Sequence, residues 1–342
     1  MNRWLSDAAL AHLRGLGEVP ETTGTRYHIV ATLGQGGMGA VYLAEDRDLD
    51  RLVALKALHP EQCDPETAER LRREARILAG LEHPGIVPVH EIGELRDGRT
   101  YYVMKYVQGV RLDDFVRNES HLPARLEIFA RICDAVAFAH AHGVVHRDLK
   151  PENVMIGAFG EVLVLDWGVA KRVGGRVPDA AADAAPPGAT AVAVARAAAP
   201  EPHLTQGGEI LGTPAYMAPE QRRGEPVEAR ADVYALGAVL HFLLCGQPIA
   251  APGTATTAAR SRSRRLSAVC ERATARAAVD RYPGVEALAA EVRRDAAGER
   301  VQAYPETPFE RARRVASRFR APILLVLVYL AVRTVLLVWF RR

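Results

Sequence analysis

His146-Arg147-Asp148-Leu149-Lys150-Pro151-Glu152-Asn153 gathers a carboxylate, a cation and an amide oxygen within eight residues, and Asp166 follows thirteen residues after Asn153. An apolar stretch, Val162-Leu163-Val164-Leu165, delivers that last carboxylate. Moving a phosphoryl group from a nucleoside triphosphate to a hydroxyl needs these parts. A carboxylate orients the hydroxyl, a cation meets the moving phosphate, and hard oxygen ligands hold Mg²⁺. A His-x-Asp near an Asn, taken alone, is also what an ordinary loop contains. The eight-residue string is more specific than that.

The elements that must position these groups can be read from pattern. Tyr27 to Leu33 alternates like a strand and runs into Gly34-Gln35-Gly36-Gly37-Met38-Gly39, then Ala40-Val41-Tyr42-Leu43-Ala44. A lone G-x-G-x-x-G fits a dinucleotide-binding turn equally well. Here the chain continues as a second strand, where the dinucleotide fold would start a helix. Val53-Ala54-Leu55-Lys56 reads as a third strand ending on a lysine, whose ordinary fate is an exposed surface position. Asp64-Pro65 opens a helical stretch to about Leu81, with Pro favoured in the first turn. Glu74 sits on it among Arg72, Arg73 and Arg76, a setting that usually means surface pairing. His83 to Val87 starts a fourth strand and Tyr101 to Val107 gives a fifth, with Gly109 ending the β-rich part. Pro123 to His142 is patterned as a helix with Ile128, Ile132, Val136 and Ala139 inward. Its His140 and His142 are two apart and face different sides, so they read as structural rather than metal-ligating.

Taken together and in order, the glycine hairpin, Val53-Ala54-Leu55-Lys56, the H-R-D-L-K-P-E-N string and Asp166-Trp167-Gly168 resemble the motifs of protein kinases. Gly212-Thr213-Pro214-Ala215-Tyr216-Met217-Ala218-Pro219-Glu220 extends the resemblance. The Glu-Gln after Ala-Pro and the apolar C-terminal stretch look most like the bacterial, eukaryotic-like Ser/Thr kinases. The resemblance covers roughly residues 26–300. It implies an α+β, bilobal protein-kinase fold, with a β-rich N-lobe carrying one helix and a mainly helical C-lobe. It also implies an ATP- and Mg-dependent transfer of the γ-phosphate to Ser/Thr hydroxyls of proteins, autophosphorylation through a homodimer included.

By that resemblance Asp148 takes or orients the hydroxyl proton and Lys150 steadies the γ-phosphate. Lys56, held by Glu74, meets the other phosphates beneath Gly34, Gln35, Gly36, Gly37 and Gly39. Val41, Ala54, Met104 and Met155 surround the adenine, and Lys105, Tyr106 and Val107 form the hinge whose backbone meets its edge. Most relatives carry Glu where this chain has Lys105, a change that backbone contacts survive. Asn153 and Asp166 are the implied Mg²⁺ ligands. Thr213 is expected to touch Asp148 and Lys150, Glu220 to pair with Arg281, and Asp232 to brace the catalytic loop. Thr205 is the regulatory phosphosite the family pattern suggests, with Arg147 and Lys171 to receive the phosphate. The second Thr common in bacterial relatives is Gly207 here. Trp167 replaces the usual Phe, removes no metal ligand, and brings an indole N–H that needs a partner.

The remaining features bound the organisation. A chain of 342 residues with net charge +3 can hold one two-lobed domain and gives no electrostatic reason to expect nucleic acid. Its four cysteines share no ligand spacing and read as isolated thiols in a reducing compartment. Residues 1–25 form an N-terminal extension, with Ser6-Asp7 as a helix cap and no secretory signal. The N-lobe is placed at 26–109 and the C-lobe at 110–300. Residues 174–203, with twelve alanines and five prolines, read as a disordered insertion in the activation segment. Gly253 to Arg265 is Thr/Ala/Arg/Ser-rich where relatives have a further helix, and helical pattern resumes at Leu266. Residues 301–321 make a basic juxtamembrane linker and 322–340 a transmembrane helix.

Those nineteen residues just reach across the hydrocarbon layer. Arg333 within them costs roughly 2.5–3.5 kcal/mol, against about 0.3–0.6 returned by each of twelve Leu, Ile and Val. The balance favours insertion over a buried or interfacial helix. The arginines before it keep the kinase on the cytoplasmic side of the inner cell membrane, as a single-pass protein. The rival reading of the whole is a nucleotide-binding pseudokinase scaffold that signals by docking, motivated by the shortened region after Gly246. A small-molecule phosphotransferase would lack the Ala-Pro-Glu and Gly-Thr-Pro strings.

Overall fold

The computed structural model describes residues 19–119, 121–167, 171–172 and 214–312, and 328–334, 336–337 and 339 of a terminal helix. Strands β1 (Tyr27–Gln35), β2 (Gly39–Asp46), β3 (Arg51–Leu58), β4 (Val89–Glu94) and β5 (Thr100–Lys105) form an antiparallel sheet in the order β1-β2-β3-β5-β4. One face closes over a small core of Tyr27, Ile29, Tyr42, Val53, Leu55 and Val103. The other receives helix α1 (Pro65–Ala79) through Leu71, Ala75 and Leu78. Asp64 caps α1 by accepting from the Thr67 N–H at 2.9 Å, with Pro65 in the first turn. Leu71 and Leu78 are each 1% exposed, and burial of such a side chain is worth about 1.5–3 kcal/mol.

Below the sheet lie β6 (Gly109–Arg111), α2 (Leu112–Asn118), α3 (Leu122–Ala141) and β7 (Val144–Val145). Then come β8 (Val154–Gly157), β9 (Val162–Val164) and β10 (Lys171–Arg172), with β6-β8-β9 forming one small sheet and β10-β7 another. Helices α4 (Pro219–Arg222), α5 (Ala229–Cys245), α6 (Thr257–Arg262), α7 (Arg264–Ala273) and α8 (Val285–Ala296) complete this lobe. Helix α5 is its axis: Val233, Leu236, Leu240 and Leu243 are all fully buried. It stops at Gly246, whose φ of 71° is a left-handed cap that glycine adopts without strain.

Several sequence expectations shift. The fourth strand begins at Val89, because Ile86 instead makes a parallel bridge to Val164 and ties the two lobes. The third strand runs past Lys56 to Leu58, and Gly109 opens β6, an element of the larger lobe. The Thr/Ala/Arg/Ser-rich stretch is not without structure. Thr256 accepts from the Ala259 N–H and starts α6, and Ser263 accepts from the Leu266 N–H and starts α7 two residues before Leu266.

The expected helix at Ser6-Asp7, the insertion 174–203, Thr205 and Thr213 lie outside the described residues. So do residues 322–327, 335, 338 and 340 of the expected membrane span. The described part of that span is helical and exposed, with Tyr329 at 64% and Trp339 at 71%. Among the described residues no helix is long and apolar enough to cross a membrane.

Candidate active site

Strand register builds the upper wall. Val41 pairs with Lys56, Leu43 with Ala54, Ala54 with Met104 and Lys56 with Tyr102. Side chains two apart on a strand, and those directly paired across it, share a face. Val41, Ala54, Lys56, Tyr102 and Met104 therefore look the same way, toward the lobe boundary. Ala54 is buried, Val41, Met104 and Met155 are half-buried, and Lys105, Tyr106 and Val107 follow at the edge of β5. The glycine hairpin closes between β1 and β2 by a Gly36 N–H to Gly39 O bond of 2.9 Å. A Cβ on Gly39 would lie 2.2 Å from the Ala57 carbonyl oxygen, so only glycine lets β2 approach β3 there. At Gly34 a Cβ would meet nothing within 4 Å. The tip is tethered from behind, since His59 Nε2 donates to Gly36 O at 2.9 Å and Gln62 Nε2 to Gly37 O at 2.8 Å.

Lys56 Nζ donates to Glu74 Oε1 at 2.8 Å and approaches Asp166 Oδ1 at 3.4 Å. Tyr102 Oη donates to the same Glu74 oxygen at 2.8 Å. The Glu74 side chain is 1% exposed and that of Lys56 13%. Burial alone would lower the lysine's pKa, yet Tyr102, Glu74 and Asp166 together hold it above its ordinary value. Asp166 is held below the usual carboxylate range. Its side chain is 49% exposed, and the partial desolvation it meets in the cleft, which would raise it, is outweighed by Lys56, with His146 and Lys150 adding to the effect. The helix glutamate is thus a buried partner and not one member of a surface pair.

The catalytic loop is braced from beneath by Asp232, which is fully buried. Its Oδ2 accepts from the His146 N–H at 2.8 Å and from His140 Nε2 at 2.7 Å, and its Oδ1 from the Arg147 N–H at 2.8 Å. Gln221 Nε2 donates to the Arg147 carbonyl at 2.7 Å. These bonds hold Arg147 at φ 73°, a left-handed conformation that costs a non-glycine residue roughly 1–2 kcal/mol. Asp166 has φ 56°. His146 takes no solvent role: Nε2 donates to Leu165 O at 3.0 Å and Nδ1 accepts from the Asp148 N–H. His142, which caps the end of α3, donates to Phe138 O, and His140 is held by Asp232, so both histidines serve structure.

In the loop itself Lys150 Nζ donates to Asp148 Oδ2 at 2.7 Å, and Asn153 Nδ2 donates to the same oxygen at 3.1 Å and to Asp148 O at 2.8 Å. Both Asn153 protons are thus spent on Asp148, which directs its carbonyl oxygen away from that residue. Leu165 N–H donates to Asn153 O at 2.8 Å, fixing the strand that carries Asp166 against Asn153. One amide and one carboxylate oxygen suit a hard cation whose other ligands are phosphate and water. The described residues hold no cluster of three or more acidic, His or Cys side chains that would cage a metal alone.

Behind Asp166, Trp167 is fully buried, its ring 4.5 Å from that of His146. Its Nε1–H donates to Val164 O at 3.2 Å, so the indole finds the partner it needs within its own chain turn. Glu220 and Arg281 meet as expected in a bidentate pair of 2.6 and 2.7 Å. Arg147 Nη2 donates to Val227 O, while Nε has no hydrogen-bond partner among the described residues. Tyr102, His59 and Gln62 carry no motif in the sequence, and Gln221 enters there only as the Gln of the Glu-Gln pair after Ala-Pro. Only the strand register could have placed Tyr102 opposite Lys56.

The sequence matches the protein kinase domain over residues 27–292. The chain belongs to the protein kinase family. It is 36% identical to the serine/threonine-protein kinase PknD of Protochlamydia amoebophila over 233 residues, 64% of this chain and 23% of the relative. It is 40% identical to the serine/threonine-protein kinase PknB of Mycolicibacterium smegmatis over 235 residues, 67% of this chain and 34% of the relative. The chain thus matches about a quarter to a third of the length of these two. The crystal structure of the Mycobacterium tuberculosis PknI kinase domain superposes with a TM-score of 0.58 at 27% identity, covering 80% of this chain and 99% of that one. The bilobal kinase fold is shared with it.

Proposed function

We propose that this kinase transfers the γ-phosphate of ATP to serine and threonine hydroxyls of proteins, with Mg²⁺ as the metal and its own chain among the substrates. The observation that carries this is the convergence of Lys56, Glu74 and Asp166 from three elements, above an Asp148–Lys150–Asn153 triad in one loop. Asp148 Oδ2 is occupied by Lys150 and Asn153, which leaves Oδ1 to accept the proton of an incoming hydroxyl. Lys150 neutralises charge on the transferred group, and Lys56 steadies the two phosphates behind it beneath the Gly34–Gly39 hairpin. Asn153 Oδ1 and the Asp166 carboxylate would hold Mg²⁺, which supplies charge neutralisation on the phosphates. Val41, Ala54, Met104 and Met155 supply apolar contact for adenine, with the backbone of Lys105 to Val107 at its edge. Thr213 is proposed to select Ser and Thr, and Thr205 to be an activating phosphosite. Membrane attachment through 322–340, with the kinase domain cytoplasmic, completes the reading and is supported by the run's composition and the arginines before it.

The full chain in detergent, incubated with γ-labelled ATP and Mg²⁺ and a generic Ser/Thr protein substrate, tests it beside an Asp148→Asn control. Label on the substrate and on the chain itself, lost in the control, is the expected result. Label absent from both proteins would favour a nucleotide-binding scaffold. Thr205→Ala retaining full activity would remove the phosphosite.

A further inference from the structure

Strand β5 sends two adjacent tyrosines to opposite faces of the sheet. Tyr101 belongs to the small outer core, its ring 6.2 Å from that of Tyr27 and its hydroxyl 3.4 Å from Glu91. Tyr102, paired with Lys56 across β3, meets α1 instead and is 2% exposed. A phenylalanine would fill the same space. The hydroxyl is the difference, and a buried hydroxyl needs a partner.

It has one in Glu74 Oε1, the oxygen that also accepts from Lys56 Nζ. Two neighbouring strands thus each send a donor, at 2.8 Å, to a single atom on α1. The two donors are not equivalent. Lys56 is charged, is 13% exposed on its side chain and is also drawn to Asp166 at 3.4 Å. Phosphate oxygens in the cleft compete for that ammonium. The phenol is enclosed behind it, with Lys56 Nζ 5.8 Å from the centre of its ring, and offers a ligand no access. Burial raises the phenol well above its ordinary pKa despite the lysine beside it, so it stays a donor throughout the neutral range.

Glu74 Oε2 is buried with no hydrogen-bond partner among the described residues, so within them the carboxylate is held through Oε1. Once Lys56 turns from that oxygen to a phosphate, the Tyr102 hydroxyl is the bond that keeps Glu74 facing the cleft.

We propose that Tyr102 is a positioning residue of the phosphoryl transfer, its hydroxyl keeping Glu74, and with it α1, turned to Lys56 while the lysine engages the nucleotide. This rests on the reading of Lys56 as the phosphate lysine. Tyr102 touches neither nucleotide nor protein substrate and acts through Glu74.

The full chain in detergent is compared with Tyr102→Phe, Glu74→Leu and the double variant, all shown folded by near-ultraviolet circular dichroism. ATP affinity is read by titration calorimetry with Mg²⁺, and kinetics are read separately for ATP and for the protein substrate. A hydrogen bond to a charged group is worth roughly 10-fold or more. Tyr102→Phe should therefore weaken ATP binding and lower kcat/KM for ATP by on the order of 10-fold, with KM for the protein substrate within about 2-fold of the native value. In Glu74→Leu, which offers the phenol no acceptor, the same exchange should move ATP affinity by less than about 2-fold. ATP affinity within about 2-fold of native in Tyr102→Phe, while Lys56→Met abolishes transfer, overturns the inference and leaves the reaction standing. Equal losses in the native and Glu74→Leu backgrounds overturn the route through Glu74. A KM for the protein substrate that rises along with that for ATP marks a general loosening and overturns it as well. A native chain that binds ATP and transfers no phosphate overturns the reaction, and with it the place of Tyr102 in it.

Discussion

Glu74→Gln isolates the interaction on which the upper wall of the cleft rests. The substitution keeps shape and removes charge from a carboxylate that is 1% exposed and 2.8 Å from Lys56 Nζ. Glu74 Oε1 receives both Lys56 and Tyr102, while Oε2 is buried with no hydrogen-bond partner among the described residues. A glutamine can keep its carbonyl oxygen toward Lys56 and Tyr102, and its NH₂ then takes the buried place of Oε2. The variant weakens both bonds at that oxygen and leaves Lys56 without its charged partner on the helix, together about 3 kcal/mol. Breaking a buried ion pair outright costs about 3–5 kcal/mol, and Asp166 at 3.4 Å remains to hold the lysine, so the lower end is expected. Urea denaturation should show that loss, and ATP affinity should fall roughly 10-fold or more as Lys56 swings toward Asp166. A double-mutant cycle with Lys56→Met should return a coupling of at least about 1 kcal/mol. Stability within about 0.5 kcal/mol of the native protein, with additive double substitution, would refute the reasoning.

Trp167→Phe removes the Nε1–H bond to Val164 O and leaves a void beside His146, for a loss of about 2 kcal/mol in thermal or urea unfolding. An unchanged midpoint would mean the indole proton is not bonded there. Gly39→Ala should unsettle the β2–β3 pairing and lower the melting temperature, whereas Gly34→Ala, where a Cβ meets nothing within 4 Å, should leave it in place. Equal melting temperatures for the two variants would contradict the contact at Ala57.

The Lys56 charge set should be flat with pH across the neutral range. Lys56 is raised, so its contribution is complete below the ordinary lysine value and is lost only as pH climbs through the higher folded one. Asp166 is lowered, so its contribution is present above the ordinary carboxylate value and is lost as pH falls through the lower folded one. The stability gap between the native protein and Lys56→Met should therefore stay level from about pH 5.5 to 9 and narrow below about pH 4. A gap that changes between pH 6 and 8 would place another titrating group in the cleft.

The loop chemistry was legible because it is local. Asp148, Lys150 and Asn153 lie within six residues, and a 3-10 turn at Pro151–Asn153 suffices to fold them together. Asp232 and the Glu220–Arg281 pair were legible only through family resemblance, since nothing local points an aspartate at amides 86 residues away. Tyr102 shows the limit of pattern reading. Tyr101 and Tyr102 look alike in sequence, and only the pairing of β3 with β5 decides which one faces Lys56. By pattern the fourth strand starts too early, because His83 to Val87 is apolar enough to read as sheet, while the observed bridge at Ile86 joins it to Val164 in the other lobe. The short helix α6 is not legible in the sequence because its signal is a single cap, Thr256, among small residues of weak preference.

The central claim is that Lys56, Asp148, Asn153 and Asp166 surround one metal-bound triphosphate. A crystal structure of the kinase with a non-hydrolysable ATP analogue and Mn²⁺, the metal located by its anomalous signal, tests it most directly. The account predicts the phosphates beneath Gly34–Gly39, Lys56 Nζ on the non-transferred phosphates, and the metal between Asn153 Oδ1 and the Asp166 carboxylate. A nucleotide bound elsewhere, or a metal bound without either of those two oxygens, would contradict it.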